Sequence, residues 1–235
     1  MDLVLVLIIF ATSLIQSIFG VGVLLFGTPL LLLYGIQFTE SLTILLPISM
    51  TINLLQMYQG KKHIIKEFYV KLLIFTIPPI VISLALATTI DLSMAPYVGA
   101  FLIFISMKSF SKKVNDIVVA MFKYERTYFI AQGVIHGMTN LGGPLLTSKV
   151  FSMEISKPEK RAFISVAYFT FASFQLLTLY GMGRLASIDY RYPLIGGGIF
   201  LITDHFIFKK LSQLNYDTVF AIFLCVSGLM LILKG

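Results

Sequence analysis

The 235-residue chain is 57% hydrophobic and only 12% charged, with a formal net charge of +7 and a mean hydropathy of +0.91. A water-soluble domain carries about 25% charged residues, so the composition excludes a water-facing globule and points to an outer surface solvated by lipid. Nucleic-acid binding is excluded as the meaning of the positive charge, because the basic residues lie between apolar runs, where Lys and Arg mark the cytoplasmic loops of membrane proteins.

The first apolar stretch, 3–36, follows a start (Met1-Asp2-Leu3) with no basic region, and no small-residue cleavage site comes after it. It reads as a retained segment. A helix crosses a bilayer core with about 20 apolar residues, so this stretch is too long for one span. It is interrupted by Gly20-Val21-Gly22 and by Gly27-Thr28-Pro29. Glycine relaxes the backbone, while proline opens helices and blocks their continuation. The pattern predicts two shortened helices joined by a glycine–proline break inside the membrane. Ordinary spans follow over 40–58, 70–90 and 93–107. A basic, partly amphipathic segment from Lys108 to Arg126 reads as a cytoplasmic connector. The second interrupted stretch, 128–153, breaks at Asn140-Leu141-Gly142-Gly143-Pro144, and spans over 162–182, 192–208 and 216–233 complete the chain. Each interrupted stretch is either a re-entrant hairpin or two short crossings, and hydropathy does not separate the two.

Charge orients this layout. With the loop after Tyr58 on the inside, all of the 18 basic residues fall in inside loops except Lys149, Arg184, Arg191 and Lys234, the asymmetry that the positive-inside rule predicts. Both halves then run broken pair followed by three spans, the first starting outside and the second inside. The predicted fold is all-α: a polytopic membrane protein of two inverted-topology repeats, 1–108 and 127–235, joined by a linker at 109–126. In sequence, Gly27-Thr28-Pro29-Leu30-Leu31 matches Gly142-Gly143-Pro144-Leu145-Leu146, and Gln16 matches Gln132.

Inverted repeats with broken helices bind substrate near the midplane, where the breaks meet. A helix starting at Pro29 or Pro144 presents free N–H groups and a positive dipole end to the break, and Gly20, Gly22, Gly27, Gly142 and Gly143 let a ligand approach the backbone. Two such ends make an anion site. Polar side chains flank them: Gln16, Ser17 and Thr28 at the first, Gln132, His136, Thr139 and Asn140 at the second. His136 is either an anion donor and proton carrier or a satisfied hydrogen-bond partner. Lys149 either reaches the anion or snorkels to the membrane edge. Asn53 and Gln56 share one helix face, with Gln175 in a comparable place, and either line the path or bond neighbouring helices. Asp204 is a candidate proton carrier as an intramembrane acid, with a local ion pair to Lys209 the more economical account. The triplet Gly196-Gly197-Gly198 reads as helix packing. Cys225 lies inside an apolar run, which leaves no disulfide framework and no Cys-based metal site; no cofactor is expected.

The run Gln16-Ser-Ile-Phe-Gly-Val-Gly-Val-Leu-Leu-Phe-Gly-Thr-Pro-Leu-Leu resembles the glycine-rich first motif of the TauE/SafE family of sulfite-exporter-like membrane proteins. Gly133-Val-Ile-His-Gly-Met-Thr-Asn-Leu-Gly-Gly-Pro-Leu-Leu resembles its second-half motif, and the likeness extends over essentially the whole chain. It implies movement of small sulfur-containing anions such as sulfite, sulfonates or related organic acids. The matching positions are Gly20, Gly22, Gly27 and Pro29, then Gly137, Gly142, Gly143 and Pro144. Val23, Leu24 and Leu25 interrupt the family's glycine run, and Met138-Thr139-Asn140 replaces a more glycine-like stretch.

The expected function is a secondary transporter of the cell membrane that moves a small anion by alternating access, with the lipid bilayer as its other partner and homo-oligomerisation left open. A passive anion channel and a non-transporting assembly protein are the alternatives. No HExxH, GxSxG or pair of intramembrane acids at helical spacing suggests an enzyme.

Overall fold

The computed structural model describes residues 2–19, 21–59, 66–90, 93–206 and 216–234, and among them there are helices and loops but no strand. In chain order the helices are α1 (Leu3–Phe19), α2 (Val23–Tyr34), α3 (Phe38–Gln59), α4 (Lys66–Phe75), α5 (Ile77–Thr89), α6 (Ala95–Phe110) and α7 (Lys112–Met121). Then come α8 (Glu125–Thr139), α9 (Gly143–Phe151), α10 (Lys157–Gly181), α11 (Arg191–Phe206) and α12 (Tyr216–Lys234). Local chemistry sets several of these ends. The α10 start is a capping box: the Glu159 carboxylate accepts from the Ser156 N–H at 2.7 Å, with a proline in the first turn. The α2 end is Gly35, at φ 103, where a side chain would be strained.

The span expected over 70–90 starts earlier, at Lys66, and is divided at Thr76 into α4 and α5. Pro78 and Pro79 bring no N–H to the carbonyls one turn back, which loosens the helix there. Together the two pieces form a 24-residue apolar span, and 38–58 and 159–181 are likewise long and apolar enough to cross a bilayer. The side chains are sorted as lipid requires. Leu177, Leu194 and Ile202 are 63%, 74% and 66% exposed, while Asn53, Gln132, His136 and Gln175 are completely buried. Water would penalise such a surface, and lipid does not. The chain is a polytopic α-helical membrane protein.

Both interrupted stretches are hairpins whose two ends meet. At the base of the first, the Tyr34 hydroxyl donates to the Asp2 carboxylate at 2.5 Å. At the base of the second, the Lys149 ammonium lies 3.6 Å from Glu125 Oε1 and donates to the Phe122 carbonyl at 3.4 Å. Further in, the Tyr128 hydroxyl donates to the Leu145 carbonyl at 2.6 Å. The 12 residues of α2 and the 9 of α9 give lengths of only about 18 and 14 Å against a hydrocarbon core of about 30 Å. Neither of these two helices by itself matches that thickness.

The hairpins open at opposite ends of the molecule. Leu32, Gly35, Thr88, Met94, Arg184 and Lys234 line one shallow pocket, so the C-terminal ends of α2, α5 and α12 share an end with the α6 N-terminus. Lys234 donates there to the Leu32 and Leu33 carbonyls at 2.9 and 2.7 Å, a cation at the negative end of the α2 dipole. In the nearby loop, the Arg191 guanidinium beside Asp189 holds its carboxyl below the usual carboxylate range. At the other end Glu125 of α8 meets Lys71 of α4 at 2.9 Å and Lys149 of α9, and Lys108 of α6 bonds Ser148.

The main helix pairings map onto one another when α1, α3, α5 and α6 are exchanged with α8, α10, α11 and α12, while the contacts of α2 with α6 and α12 have no equally close counterpart at α9. α6 packs on α12 and α3 on α10; α5 packs on α8 as α11 does on α1; α5 meets α10 as α11 meets α3. At the α6–α12 crossing, a Cβ on Gly99 would lie 2.6 Å from the Gly228 carbonyl oxygen, and one on Gly228 2.7 Å from that of Gly99. The backbones touch there, as small residues permit. In the α11 triplet, Gly196 and Gly197 pack against Ile48 and Thr51, whereas Gly198 faces open space.

Candidate functional site

The tip of the second hairpin is built on one face of α8. Gln132, His136 and Asn140 recur every fourth residue and so lie in line along the helix, all three buried. Asn140 ends α8 in the left-handed region, φ 62, its N–H donating to the His136 carbonyl at 2.7 Å. Asparagine tolerates that conformation better than most residues. The Gly142 N–H then donates to His136 Nδ1 at 3.1 Å. Because Nδ1 accepts, the ring proton of neutral His136 resides on Nε2. α9 opens with Pro144 in its first turn, where the missing N–H costs no hydrogen bond. A Cβ on Gly142 would fall 2.6 Å from that of His136, and one on Gly143 would overlap the Tyr168 hydroxyl of α10. The His136 ring centroid is 5.0 Å from that of Phe171 and 6.4 Å from that of Tyr168.

The first hairpin repeats this arrangement with other residues. Gln16 Oε1 accepts from the Val23 N–H at 2.9 Å, and Gln16 Nε2 donates to Asn53 Oδ1 at 3.5 Å. A Cβ on Gly22 would lie 2.6 Å from the Gln16 backbone nitrogen. Gln16 with Gly22 thus stands where His136 with Gly142 stands, at the same spacing, so the sequence match of Gln16 to Gln132 is replaced by Gln16 to His136. The break expected at Gly27-Thr28-Pro29 is also displaced. α2 already begins at Val23 and Pro29 lies inside it, so Pro29 starts no helix and Gly27 adjoins no break. A Cβ on Gly27 would come 2.6 Å from Leu45 Cδ2, so its absence brings α2 close to α3. Sequence alone favoured 27–29 because proline is the stronger local signal, but the chain reverses where Gln16 supplies an acceptor to the new helix.

The second tip meets the first hairpin directly, in the second turn of α2: Asn140 Nδ2 donates to Thr28 Oγ1 at 3.0 Å. The two tips differ in how far they are satisfied. At the first tip Gln16, Asn53 and Ser49 bond one another, the last contact being 3.1 Å. At the second, both amide atoms of Gln132, both of Gln175, His136 Nε2 and Asn140 Oδ1 are buried with no hydrogen-bond partner in the protein. Gln175 is the side chain His136 faces for a hydrogen bond, in a contact too loose to satisfy either group. Leaving one such group unpaired costs about 1–3 kcal/mol, so a cluster of them marks a place whose polarity serves something other than packing.

Other candidate residues lie elsewhere. Thr139 is satisfied locally, donating to the Ile135 carbonyl at 2.6 Å and accepting from the Leu141 N–H at 3.2 Å. A Cβ on Gly137 would overlap Ser83 of α5, which makes it a packing glycine. Gln56 Oε1 accepts from Ser165 of α10 at 2.7 Å, while its Nε2 is unpartnered. Lys149 points away from the break, to Glu125 and over the Phe122 ring at the hairpin base. Gly20, the Asp204 side chain and Lys209 lie outside the described residues. Among the described residues no three of His, Cys, Asp and Glu are grouped to hold a metal ion. Tyr168 and Ser165 carried no sequence signal, because a Tyr or Ser in an apolar span is unremarkable until its neighbours are known.

The family model described as sulfite exporter TauE/SafE matches residues 5–231. The chain belongs to the TauE/SafE family. That makes it a membrane transport protein of a sulfite-exporter family. No curated protein and no solved structure matches it. In this TauE/SafE protein the two motif regions are the two hairpins, and the Gly142-Gly143-Pro144 portion is the start of α9.

Proposed function

We propose that this protein is a secondary transporter that moves a small sulfur oxyanion or organosulfonate, such as sulfite, by alternating access around a site where the second hairpin tip meets the first hairpin. The observation that carries the reading is the second tip: buried, unpartnered donors on Gln132, His136 and Gln175 beside the N-terminus of α9. First-turn N–H groups lack a carbonyl one turn back and carry the positive end of the helix dipole, which suits a small anion. Gly143 lets the start of α9 pack directly against Tyr168 of α10, which walls that side of the site.

The exchange symmetry of the packing supports the rocking of one half against the other, because two equivalent halves can trade the inward-open and outward-open arrangements. Opposed hairpins bring the second tip beside α2, where a rocking motion exposes a site alternately to each side. In proteoliposomes containing the purified protein, labelled sulfite is expected to enter saturably and to be displaced by excess sulfite or sulfonate but not by simple carboxylates. Uptake no greater than in empty liposomes, from protein shown to be folded, would remove the sulfite assignment.

A further inference from the structure

The polar side chains fully buried among the described residues are Ser, Thr, Asn, Gln and a His; no Lys, Arg, Asp or Glu is among them. The charged side chains of the second hairpin are Glu125, Arg126 and Lys149; all lie at its base, Glu125 meeting Lys149 and Arg126, in the first turn of α8, lying over the Phe75 ring. Tyr168 is the titratable side chain in ring contact with His136. A site of this kind stabilises an anion with dipoles and N–H groups alone. The cost of taking an ion out of water rises with the square of its charge, so a dianion needs about four times the compensation of a monoanion. Dipoles and N–H groups around a site without a cation offset a single charge more completely than a double one.

Resting on the transport reading above, we propose that the second hairpin tip is a charge-state filter: it takes singly charged sulfonates and hydrogensulfite, with His136 Nε2–H as the specifying donor, and rejects doubly charged sulfite and sulfate. The tautomer follows from geometry. The Gly142 N–H at 3.1 Å occupies Nδ1, so Nε2 carries the hydrogen, and it is buried with only the loose contact to Gln175 beside it. Phe171 and Tyr168 hold the ring plane. The unpartnered set also contains the amide oxygens of Gln132, Asn140 and Gln175. These accept the O–H of hydrogensulfite.

The test is labelled-sulfite uptake by the full chain in proteoliposomes at mildly acid and mildly alkaline pH, with methanesulfonate and sulfate as competitors. Methanesulfonate, a monoanion throughout, is expected to inhibit with the same constant at both pH values, sulfate at least about tenfold more weakly, and sulfite uptake to fall as sulfite loses its second proton. Saturable uptake that sulfate inhibits as well as methanesulfonate overturns the filter and leaves the transport reading standing. Absence of both uptake and anion-induced thermal stabilisation, in folded protein, overturns the transport reading and the filter together. His136→Asn keeps an oxygen for the Gly142 N–H and removes the Nε2 donor. It is expected to melt with the wild type while its methanesulfonate inhibition constant rises about tenfold; an unchanged constant overturns the donor role. His136→Gln, which offers a donor but abandons Gly142, is expected to do the reverse, lowering the melting temperature with a smaller effect on inhibition.

Discussion

At Gly143 the absence of a single atom matters, because a Cβ there would overlap the Tyr168 hydroxyl. The start of α9 is therefore held against α10 with no room for even an alanine methyl. Gly143→Ala is expected to abolish transport while the protein still inserts and purifies as a folded species. Removing the obstructing oxygen tests the cause: Gly143→Ala combined with Tyr168→Phe should recover part of the activity, since the next contact, to Cζ, is at 2.8 Å. Uptake assays on the two variants beside Tyr168→Phe alone decide it. An active single Gly143→Ala variant would show that α9 yields at its start and that its placement does not define the site. Gly143 was singled out in the sequence because a Gly-Gly-Pro run is a local signal. Tyr168 was not, because its importance lies in what it touches.

Among the elements, the α6–α12 and α1–α11–α3 contacts show that glycines in the same kind of helix do different work. Gly99 and Gly228 bring two backbones together, and Gly198 meets nothing within 4 Å. Gly99→Leu is expected to destroy the α6–α12 crossing and yield protein that aggregates on extraction. Gly198→Ala is expected to leave the melting temperature unchanged or higher, since alanine gains up to about 1 kcal/mol of helix propensity over glycine. Melting curves and size-exclusion profiles in one detergent make the comparison, and equal behaviour of the two variants would refute the assignment. Hydropathy located the long spans, because burial in lipid is close to additive along a segment. It misplaced the first break, because Pro29 sits inside α2. A proline there forfeits only one backbone hydrogen bond, and the reversal depends on Gln16 and Gly22 instead.

For the molecule as a whole, the contact that ties its two hairpins is the 3.0 Å hydrogen bond between Asn140 and Thr28, residues far apart in the chain. Alternating access requires the hairpins to move relative to each other. Thr28→Cys with Asn140→Cys, in a Cys225→Ser background, is expected to cross-link with a short thiol-bridging reagent and to stop uptake until the bridge is cleaved by a reductant. Full uptake by the bridged protein would show that the hairpins travel together and that the moving boundary lies elsewhere.

Membrane class, helical content, re-entrant candidates and the basic end were all legible in the amino-acid order. Each depends on the transfer free energy, backbone freedom or charge of residues near one another, and such terms add along the chain. Family membership followed from the same glycine and proline runs. The tertiary structure alone decided which hairpin tip carries unmet amide and imidazole groups. The two tips look alike in sequence, each with amides and glycines. Gln16 nevertheless finds Asn53 and Val23 to bond, while Gln132, His136 Nε2 and Gln175 find no partner. Satisfaction of a hydrogen bond is a property of pairs at short distance and not of composition. It becomes visible only once α3, α8, α9 and α10 have been brought together.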